Sequence, residues 1–234
     1  MKQEVVEKIL KETRSNYNTI SQDWSRTRQN LWAGLADFLP YLKSGDKILD
    51  VGCGNGRLIK LFQDFDIDYT GIDNSEELLK IAKKDFSSQK FIFGDILNLP
   101  VLDNSVDAVF CIAVLHHIPS KKLRRQAVKE LYRVVRPGGL IFMTNWHYSS
   151  MKLSNLATKF TLAKISGKSE LDFGDIFIDW GVGGTKRYVH LFTKFGIKKM
   201  FKSAGFKIIE NYSSEYSKRG FRNVVTIAKN KITK

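Results

Sequence analysis

The sequence predicts an α/β fold in which helices cover both faces of a doubly wound, mostly parallel sheet. Nearly continuous apolar runs, typical of strands buried on both faces, occur at 47–51, 69–73, 90–95, 106–113 and 140–146. Amphipathic helical patterns lie between them at 56–65, 75–86 and 121–135. In such sheets a ligand lies beyond the carboxyl ends of the strands, so we expect the functional residues along that edge.

The composition is that of an ordinary globular protein, with 234 residues and 43% hydrophobic content, which predicts a single domain over 1–234. Cys53 and Cys111 lie in apolar segments and form neither a disulfide framework nor a zinc spacing, so we expect no metal. No apolar run approaches the ~20 residues of a membrane helix, and the first residues show no signal-peptide pattern. We therefore expect a cytoplasmic protein without a membrane partner.

The charge balance favours a polyanionic partner. Lysine and arginine outnumber aspartate and glutamate by 38 to 24, which gives a net charge of +14. Such an excess points to nucleic acid, or less often to an anionic membrane. The alternative is a lysine-rich proteome, in which many proteins are basic without such a partner.

The first 43 residues predict helices that cap the sheet. Apolar residues recur at helical spacing over 1–15, and a second amphipathic helix ends before Pro40. The segment 16–28 between them resembles a loop that carries aromatic and arginine side chains. The cap is either plain packing or a lid from which Tyr17 and Arg28 reach a ligand.

A glycine-rich turn, Asp50-Val51-Gly52-Cys53-Gly54-Asn55-Gly56, joins the first strand to the next helix. Glycine permits positive φ and lets a ligand approach the main chain, and the helix start offers free N–H groups. A dinucleotide fingerprint needs G-x-G-x-x-G, whereas Arg57 stands where the third glycine would fall. By itself the turn leaves open an NAD site, another cofactor or a simple tight turn.

Acidic residues end the next two strands. Asp73 can accept hydrogen bonds from both hydroxyls of a ribose, or it could cap the next helix, although Asn74 or Ser75 could do so equally well. Asp95 can accept from an exocyclic adenine amine while the backbone N–H of Ile96 meets a ring nitrogen. The alternative for Asp95 is a residue in a turn.

The fourth strand runs into Ala113-Val114-Leu115-His116-His117, which holds two of the four histidines. In such a pair we expect one ring to pack and the other to face outward. Arg136-Pro137-Gly138-Gly139 then predicts a turn that ends the preceding helix and begins the fifth strand.

The segment 147–192 interrupts the alternation and predicts an insertion of about 40 residues after the fifth strand. Its aromatic and cationic residues suit base stacking with phosphate contacts, or alternatively a lid packed by its own aromatic side chains. A basic helix at 193–204 follows. The runs 206–212 and 223–229 predict an antiparallel pair that completes a seven-stranded sheet.

These features in succession resemble the class I S-adenosylmethionine (SAM) dependent methyltransferases, whose first motif is (E/D)-x-G-x-G-x-G and whose fold is Rossmann-like. The resemblance covers the glycine turn, both strand-end aspartates, 113–117 and the 136–139 turn. It implies SAM as the cofactor. The cofactor-binding residues it implies are Tyr17, Arg28, Asp50, Gly52, Gly54, Gly56, Asp73, Asn74, Asp95, Ile96 and Ala113.

The flanks resemble the Trm9-like tRNA methyltransferases. The matching motifs are Tyr17…Trp24-Ser25-x-Thr27-Arg28…Trp32, Ile112-Ala113-Val114-Leu115-His116-His117, Asp175-x-Phe177-x-x-Trp180 and Arg187-Tyr188-x-His190-Leu191-Phe192. That family methylates the carboxylate of 5-carboxymethyluridine at the tRNA wobble position, and its eukaryotic members use a small zinc-binding activator subunit. The resemblance therefore implies tRNA, and an activator protein, as partners. The stretch Arg222-Asn223-Val224-Val225 departs from the family by lacking a tryptophan.

A carboxylate acceptor is already ionised at neutral pH, so it needs no general base. The residues expected to orient the acceptor are His116, His117, Arg187, Tyr188 and His190. The main alternative is a small-molecule methyltransferase acting on a quinone or lipid precursor. A second alternative is a non-catalytic subunit that binds SAM and docks RNA.

Overall fold

The computed structural model describes residues 1–148, 151–179, 185–215 and 222–231. Trp180 and the segment 181–184 lie outside this part of the chain. The strands are β1 (Lys47–Val51), β2 (Asp68–Asp73), β3 (Lys90–Phe93), β4 (Val106–Ile112), β5 (Val135–Trp146), β6 (Asp175–Asp179), β7 (Lys186–His190), β8 (Lys207–Glu215) and β9 (Arg222–Lys229). The α-helices are α1 (Gln3–Thr19), α2 (Ser21–Arg26), α3 (Glu76–Asp85), α4 (Lys121–Val134), α5 (Met151–Ile165) and α6 (Lys194–Ser203). Short 3₁₀ helices span Ala33–Tyr41, Arg57–Phe62 and Leu115–His117.

The central sheet has seven strands in the order β3-β2-β1-β4-β5-β9-β8. Strands β1 to β5 pair in parallel, and β9 pairs antiparallel with both β5 and β8. This arrangement confirms the predicted doubly wound, mostly parallel sheet and its antiparallel closing pair. The strand order reverses between β1 and β4, so the crevice of the switch point opens beyond the carboxyl ends of these two strands.

The two faces of the sheet bury separate apolar layers because neighbouring side chains on a strand point to opposite faces. Cys111 and Met143 pack with Leu131 of α4 and Phe201 of α6 on one face. Phe110 and Phe142, one position earlier on each strand, pack with residues of the 33–41 turn on the other face. Both layers are fully buried, which holds the switch-point edge on a rigid base.

Three sequence expectations need correction. The segment 16–28 is helical over most of its length, because its polar side chains are held by the rest of the protein: Asn16 donates to the Lys186 carbonyl oxygen at 3.1 Å. Pro40 lies inside the 3₁₀ helix Ala33–Tyr41 instead of following a helix. The residues 136–139 form the irregular start of β5, where the register with β4 shifts, and no separate turn precedes the strand.

The predicted insertion is built from α5 and the β6–β7 hairpin. Ile176 and Val189 of the hairpin pack with Leu153 and Ala157 of α5, and Trp146 at the end of β5 contacts this cluster. The hairpin is thereby held over the carboxyl edge of the sheet. Within the described residues, no helix is both long and apolar enough to cross a bilayer, and no group of three or more potential ligand side chains could hold a metal ion.

Candidate functional site

A cavity of about 200 Å³ opens at the switch point, between the sheet edge, the α1–α2 cap and the β6–β7 hairpin. The structure brings eleven of the sequence-predicted residues to its wall: Tyr17, Arg28, Gly52, Gly54, Asp73, Asn74, Ile96, Ala113, His116, His117 and Arg187. The other five, Asp50, Gly56, Asp95, Tyr188 and His190, do not line it.

The glycine turn is shaped by packing as well as by access to the cavity. Gly52, Gly54 and Gly56 have φ of 74°, 57° and 75°, which L-residues with side chains rarely adopt. A Cβ on Gly54 would lie 2.9 Å from the Trp24 ring, and one on Gly56 would lie 2.9 Å from Phe91. Gly56 is therefore required by the packing beneath the turn, and Gly52 and Gly54 expose main chain to the cavity.

Asp50 lies beneath the turn. Its side chain is 2% exposed and accepts a hydrogen bond from the Tyr69 hydroxyl at 2.7 Å. Burial raises the pKa of this carboxyl to about 7. Val51, the next residue, lines the cavity instead, as expected for the alternating directions of strand side chains.

Asp73 ties the end of β2 to the glycine turn. Its carboxylate accepts from the backbone N–H groups of Gly54 and Ser75, each at 2.8 Å. Ser75 caps α3 by accepting from the Leu78 N–H, so Asp73 is not the helix cap. Each Asp73 oxygen accepts one of these bonds and keeps the capacity to accept another. Burial raises the pKa of Asp73.

Asp95 and Ile96 mark the boundary between the cavity and an adjoining open recess. Ile96 lines the cavity, whereas Asp95 lines the recess together with α1 residues such as Lys11 and Arg14. One Asp95 oxygen accepts from the Leu97 N–H at 2.9 Å, which agrees with the turn alternative. The two compartments share Leu10 and Asn74 in their walls.

Arg28, Trp24 and Trp32 of the cap form a cluster in the wall with Arg57, which follows the glycine turn. The Arg28 guanidinium lies 5.1 Å from the Trp24 ring centroid, and Arg57 lies 5.7 Å from Trp24 and 5.3 Å from Trp32. Asn55 of the glycine turn fastens the cap by donating to the Ser25 hydroxyl at 2.9 Å. Tyr17 and Arg28 of the cap lie in the cavity wall, and a lid role for residues 16–28 stays a prediction.

Sequence reasoning missed Arg57 and Asn55 as site residues. Arg57 lines the cavity, and burial lowers its pKa to about 10. A signal was available, because Arg57 stands where a dinucleotide fingerprint has its third glycine. For Asn55 no such signal exists in one sequence, since its partner lies 30 residues away.

His117 has both ring nitrogens engaged. Its Nδ1 lies 3.1 Å from the Tyr188 carbonyl oxygen, and its Nε2 lies 3.0 Å from the Tyr17 hydroxyl. A carbonyl oxygen can only accept, so Nδ1 carries the hydrogen and Nε2 accepts from Tyr17. Burial and then Arg187 lower the pKa of His117 to about 3, so the ring is neutral at pH 7.

His116 is also buried, at 1% exposure, and its ring stacks on Trp146 with centroids 5.3 Å apart. Burial, and then His117 and Arg187, lower the pKa of His116 well below its ordinary value. The expectation that one ring packs and the other faces outward is wrong, because the 3₁₀ helix Leu115–His117 buries both rings and both line the cavity.

The motif Arg187-Tyr188-x-His190 is split between two sides of β7. The Arg187 guanidinium lies in the cavity wall, 4.7 Å from the Trp146 ring centroid, and burial lowers its pKa. The Tyr188 hydroxyl accepts from Arg124 at 3.1 Å, and His190 Nδ1 donates to Asp175 at 2.6 Å. Tyr188 and His190 are thus placed behind the wall, because successive residues of a strand face opposite sides.

Known proteins resemble this chain in sequence. The sequence profile of a methyltransferase-domain family matches residues 49–143. A tRNA (carboxymethyluridine(34)-5-O)-methyltransferase of Arabidopsis thaliana is 39% identical over 145 residues, which cover 62% of this chain and 35% of that protein. A methyltransferase of Encephalitozoon cuniculi is 32% identical over 205 residues, which cover 86% of this chain and 90% of that protein. The chain thus spans about a third of the first relative and nearly the whole of the second.

Solved structures show the same fold. A SAM-dependent methyltransferase of Methanosarcina mazei superposes with a TM-score of 0.75 at 23% identity, covering 87% of this chain and all of that one. A Haloferax volcanii methyltransferase, solved with the Trm112 methyltransferase activator, superposes with a TM-score of 0.69 at 17% identity over 95% of this chain and 99% of that one. With the near full-length match to the Encephalitozoon protein, these findings show that the chain belongs to the class I SAM-dependent methyltransferases.

Proposed function

We propose that this enzyme methylates the carboxylate of 5-carboxymethyluridine at the wobble position of tRNA and forms the methyl ester. The observation that carries the proposal is the placement of the Arg187 guanidinium in the cavity wall over Trp146, beside two histidines that are neutral at pH 7. The wall thus offers a cation for an anionic acceptor. The names of relatives such as the Arabidopsis protein agree with this acceptor.

The state of the histidines favours an acceptor that is already ionised. A general base needs a free lone pair and a pKa near the working pH. His117 has no free lone pair, since its Nε2 accepts from Tyr17. A carboxylate needs no deprotonation, so the protein has only to hold it in line with the methyl group, and orientation supplies most of the rate enhancement. Arg187 would hold one carboxylate oxygen while the other attacks.

The remaining wall residues fit SAM, which supplies the electrophilic methyl group when bound. Arg28 offers a cation for its carboxylate, and Tyr17 lies beside that guanidinium. Asp73 retains acceptor capacity for ribose hydroxyls, next to Asn74. Gly52, Gly54 and Ala113 also line the cavity, and Ile96 in its wall and Asp95 in the adjoining recess would meet the adenine. Asp50 and Gly56 support the turn from beneath.

Charge beside the cavity supports an RNA acceptor. His147 follows Trp146, and its backbone N–H donates to the Arg222 carbonyl oxygen at 2.9 Å. Burial, and then Lys194 and Arg222, lower the pKa of His147, so three basic side chains lie close together at this edge. Such a cluster suits a phosphate next to the nucleotide that enters the cavity, in keeping with the net charge of +14.

A small activator protein is part of the proposal. The Haloferax structure pairs its methyltransferase with Trm112, and that chain shares the present fold over nearly its whole length. We therefore include a Trm112-type subunit in one arm of the test.

The test incubates the purified protein with labelled SAM and total tRNA, with and without the activator, and identifies the labelled nucleoside after digestion. Label in a uridine methyl ester that mild alkali removes supports the proposal. Label only in a lipid extract supports the small-molecule alternative. SAM binding without transfer in either arm supports the non-catalytic alternative.

A pair of variants on β7 tests the role of Arg187. Arg187→Met should lower transfer to tRNA roughly 10- to 150-fold, from the about 1.5–3 kcal/mol of a hydrogen bond to a charged group. SAM affinity should change little. Lys186→Met is the matched control, since Lys186 is the neighbouring cation on the same strand but is exposed. Equal losses in both variants would contradict the assignment.

A further inference from the structure

The helix α6 presents lysine and phenylalanine side chains to solvent beside the cavity. On one side it buries Ile197 and Phe201 completely in the core. Its other side is exposed and carries the residues that we name the α6 face: Lys194, Phe195, Lys198, Lys199 and Lys202. Phe195 is 76% exposed, so this aromatic ring contributes little to the stability of the core.

The α6 face carries positive charge that no nearby acidic residue neutralises. No aspartate or glutamate occurs between Asp179 and Glu210 in the sequence. Among the side chains that the structure describes, the four lysines of this face form no ion pair with an acidic group. Lys194, Lys198 and Lys202 follow one another at four-residue spacing, and like charges at this spacing destabilise a helix. Such a row of charges points to an anionic partner.

The α6 face begins beside the cavity wall. The backbone N–H of Phe192 donates to the carbonyl oxygen of Trp146 at 2.9 Å, and Trp146 lines the cavity. Thr193 then caps α6 by accepting from the Gly196 N–H at 3.0 Å. Phe195 follows Phe192 by three residues, so it lies within about 11 Å of chain from this contact with the wall.

We propose that the α6 face is the docking surface for the RNA loop that carries the target nucleotide, with phosphates on its lysines and a base stacked on Phe195. The inference rests on the proposed function for the identity of this RNA as tRNA. Proteins hold single-stranded RNA in this way, by stacking bases on aromatic rings next to cations that contact the backbone. A membrane surface fits less well, because helices enter it through a broad apolar face and the α6 face has a single apolar residue.

The first test measures the binding of fluorescently labelled total tRNA to the full chain by anisotropy. Phe195→Ala should weaken binding roughly 5- to 150-fold, the loss expected on removing one base–aromatic stack. Phe173→Ala is the matched control: its ring is 61% exposed, but it lies between Asp172 and Asp175, where a polyanion is repelled. It should bind tRNA as the wild type does. Both variants should keep the wild-type melting temperature, since each ring is largely in solvent.

The second test removes charge from the α6 face and follows binding as a function of salt. The double variant Lys198→Gln, Lys202→Gln should lower the slope of log K against log salt by about 1.4, because each phosphate contact with a single strand contributes about 0.7. It should melt at or above the wild-type temperature, since like charges are removed. The control is Lys83→Gln, Lys84→Gln on α3, which packs at the β3 end of the sheet, whereas α6 packs at the β8 end. The control should keep the wild-type slope.

Transfer kinetics separate docking from chemistry. The variants of the α6 face should raise KM for tRNA and leave kcat little changed, because these contacts are the same in the bound substrate and in the transition state. Equal tRNA binding by Phe195→Ala and Phe173→Ala, or equal salt slopes in the two lysine pairs, would overturn the proposal. So would variants of the α6 face that lose binding to phosphatidylserine vesicles but keep wild-type binding to tRNA.

The outcomes also separate this inference from the proposed function. If the variants of the α6 face lose tRNA binding and the methylated product is not the uridine ester, the docking surface stands and the proposed acceptor falls. If the product is the uridine ester and these variants bind tRNA as the wild type does, the acceptor stands and the docking surface falls.

Discussion

Replacing His117 with glutamine should reduce the loss of unfolding free energy that the protein suffers as the pH falls. Burial, and then Arg187, lower the pKa of this histidine to about 3, against about 6.5 in an unfolded chain. Below pH 6.5 the unfolded chain binds a proton that the folded protein does not. The stability that neutral His117 contributes is therefore complete above pH 6.5 and is lost as the pH falls toward 3.

The magnitude follows from these two pKa values. Between pH 7 and pH 5, proton binding to the unfolded state removes about 2 kcal/mol from the free energy of unfolding. The figure is nearly the same if the folded pKa is about 4, because almost no protonated folded form exists at pH 5 in either case. At 7% exposure the ring is too buried for solvent to screen the effect appreciably. His117→Gln should therefore show a change from pH 7 to pH 5 that is about 2 kcal/mol smaller than in the wild type.

The comparison must be between variant and wild type because other groups titrate in the opposite sense. Burial raises the pKa of Asp50 to about 7, so its contribution is complete below about pH 3.9 and declines as the pH rises through 7. The wild-type curve can therefore be flat even though His117 acts as described. Losses from the substitution that do not depend on pH cancel in the difference.

The assay is urea unfolding of both proteins at pH 5 and pH 7. His147→Gln serves as the control, since that ring is only partly buried and should give a smaller difference. If His117→Gln and the wild type lose stability in parallel between the two pH values, His117 is not held neutral by burial and the assigned tautomer fails with it.

Three further predictions concern the turn and the reaction. From pH 5 to pH 7 the free energy of unfolding of Asp50→Asn should rise by about 1–2 kcal/mol relative to that of the wild type, because the wild-type carboxyl must ionise in a buried site. A difference in urea unfolding that stays constant between the two pH values would refute this. Gly54→Ala should have a lower melting temperature than Gly45→Ala and should bind SAM more weakly in a titration. Both glycines have positive φ, but only a Cβ at position 54 contacts Trp24. Equal effects of the two substitutions would contradict this close contact. The methyl-transfer rate should stay flat from pH 6 to 9, and an ascending limb that disappears in His116→Ala would show a base instead of an orienting ring.

Much of the fold was predictable because its signals are local. Apolar runs, glycine turns and helix periodicity depend on residues close in sequence. They predicted the doubly wound, mostly parallel sheet and the edge of it that holds the cavity. Gly52, Gly54 and Asp73 could be placed on that edge for the same reason, since each ends or follows a strand. The helical cap was harder to predict, because its polar residues are held by contacts with distant elements.

The alternation of side-chain direction along a strand limits which residues of each motif can reach the cavity. Adjacent residues of a strand cannot share a face, so Arg187 and Tyr188 could not both line the wall. The same rule separates Asp50 from Val51. Applied to the motif Arg187-Tyr188-x-His190, the rule leaves either Arg187 or the pair Tyr188 and His190 for the wall, and the structure selects Arg187.

The sequence by itself determined the class of fold, the edge of the sheet at which the cavity lies, and the relationship to SAM-dependent methyltransferases. Only the tertiary structure decided how the two histidines differ. The partners of His117 lie 100 residues away on α1 and 71 residues away on β7, and no local pattern encodes such contacts. The proton positions on these rings depend on which groups folding brings together around them. The glycine turn and the two strand-end aspartates together indicate the cofactor class, whereas the contacts of the two histidines depend on packing between distant segments.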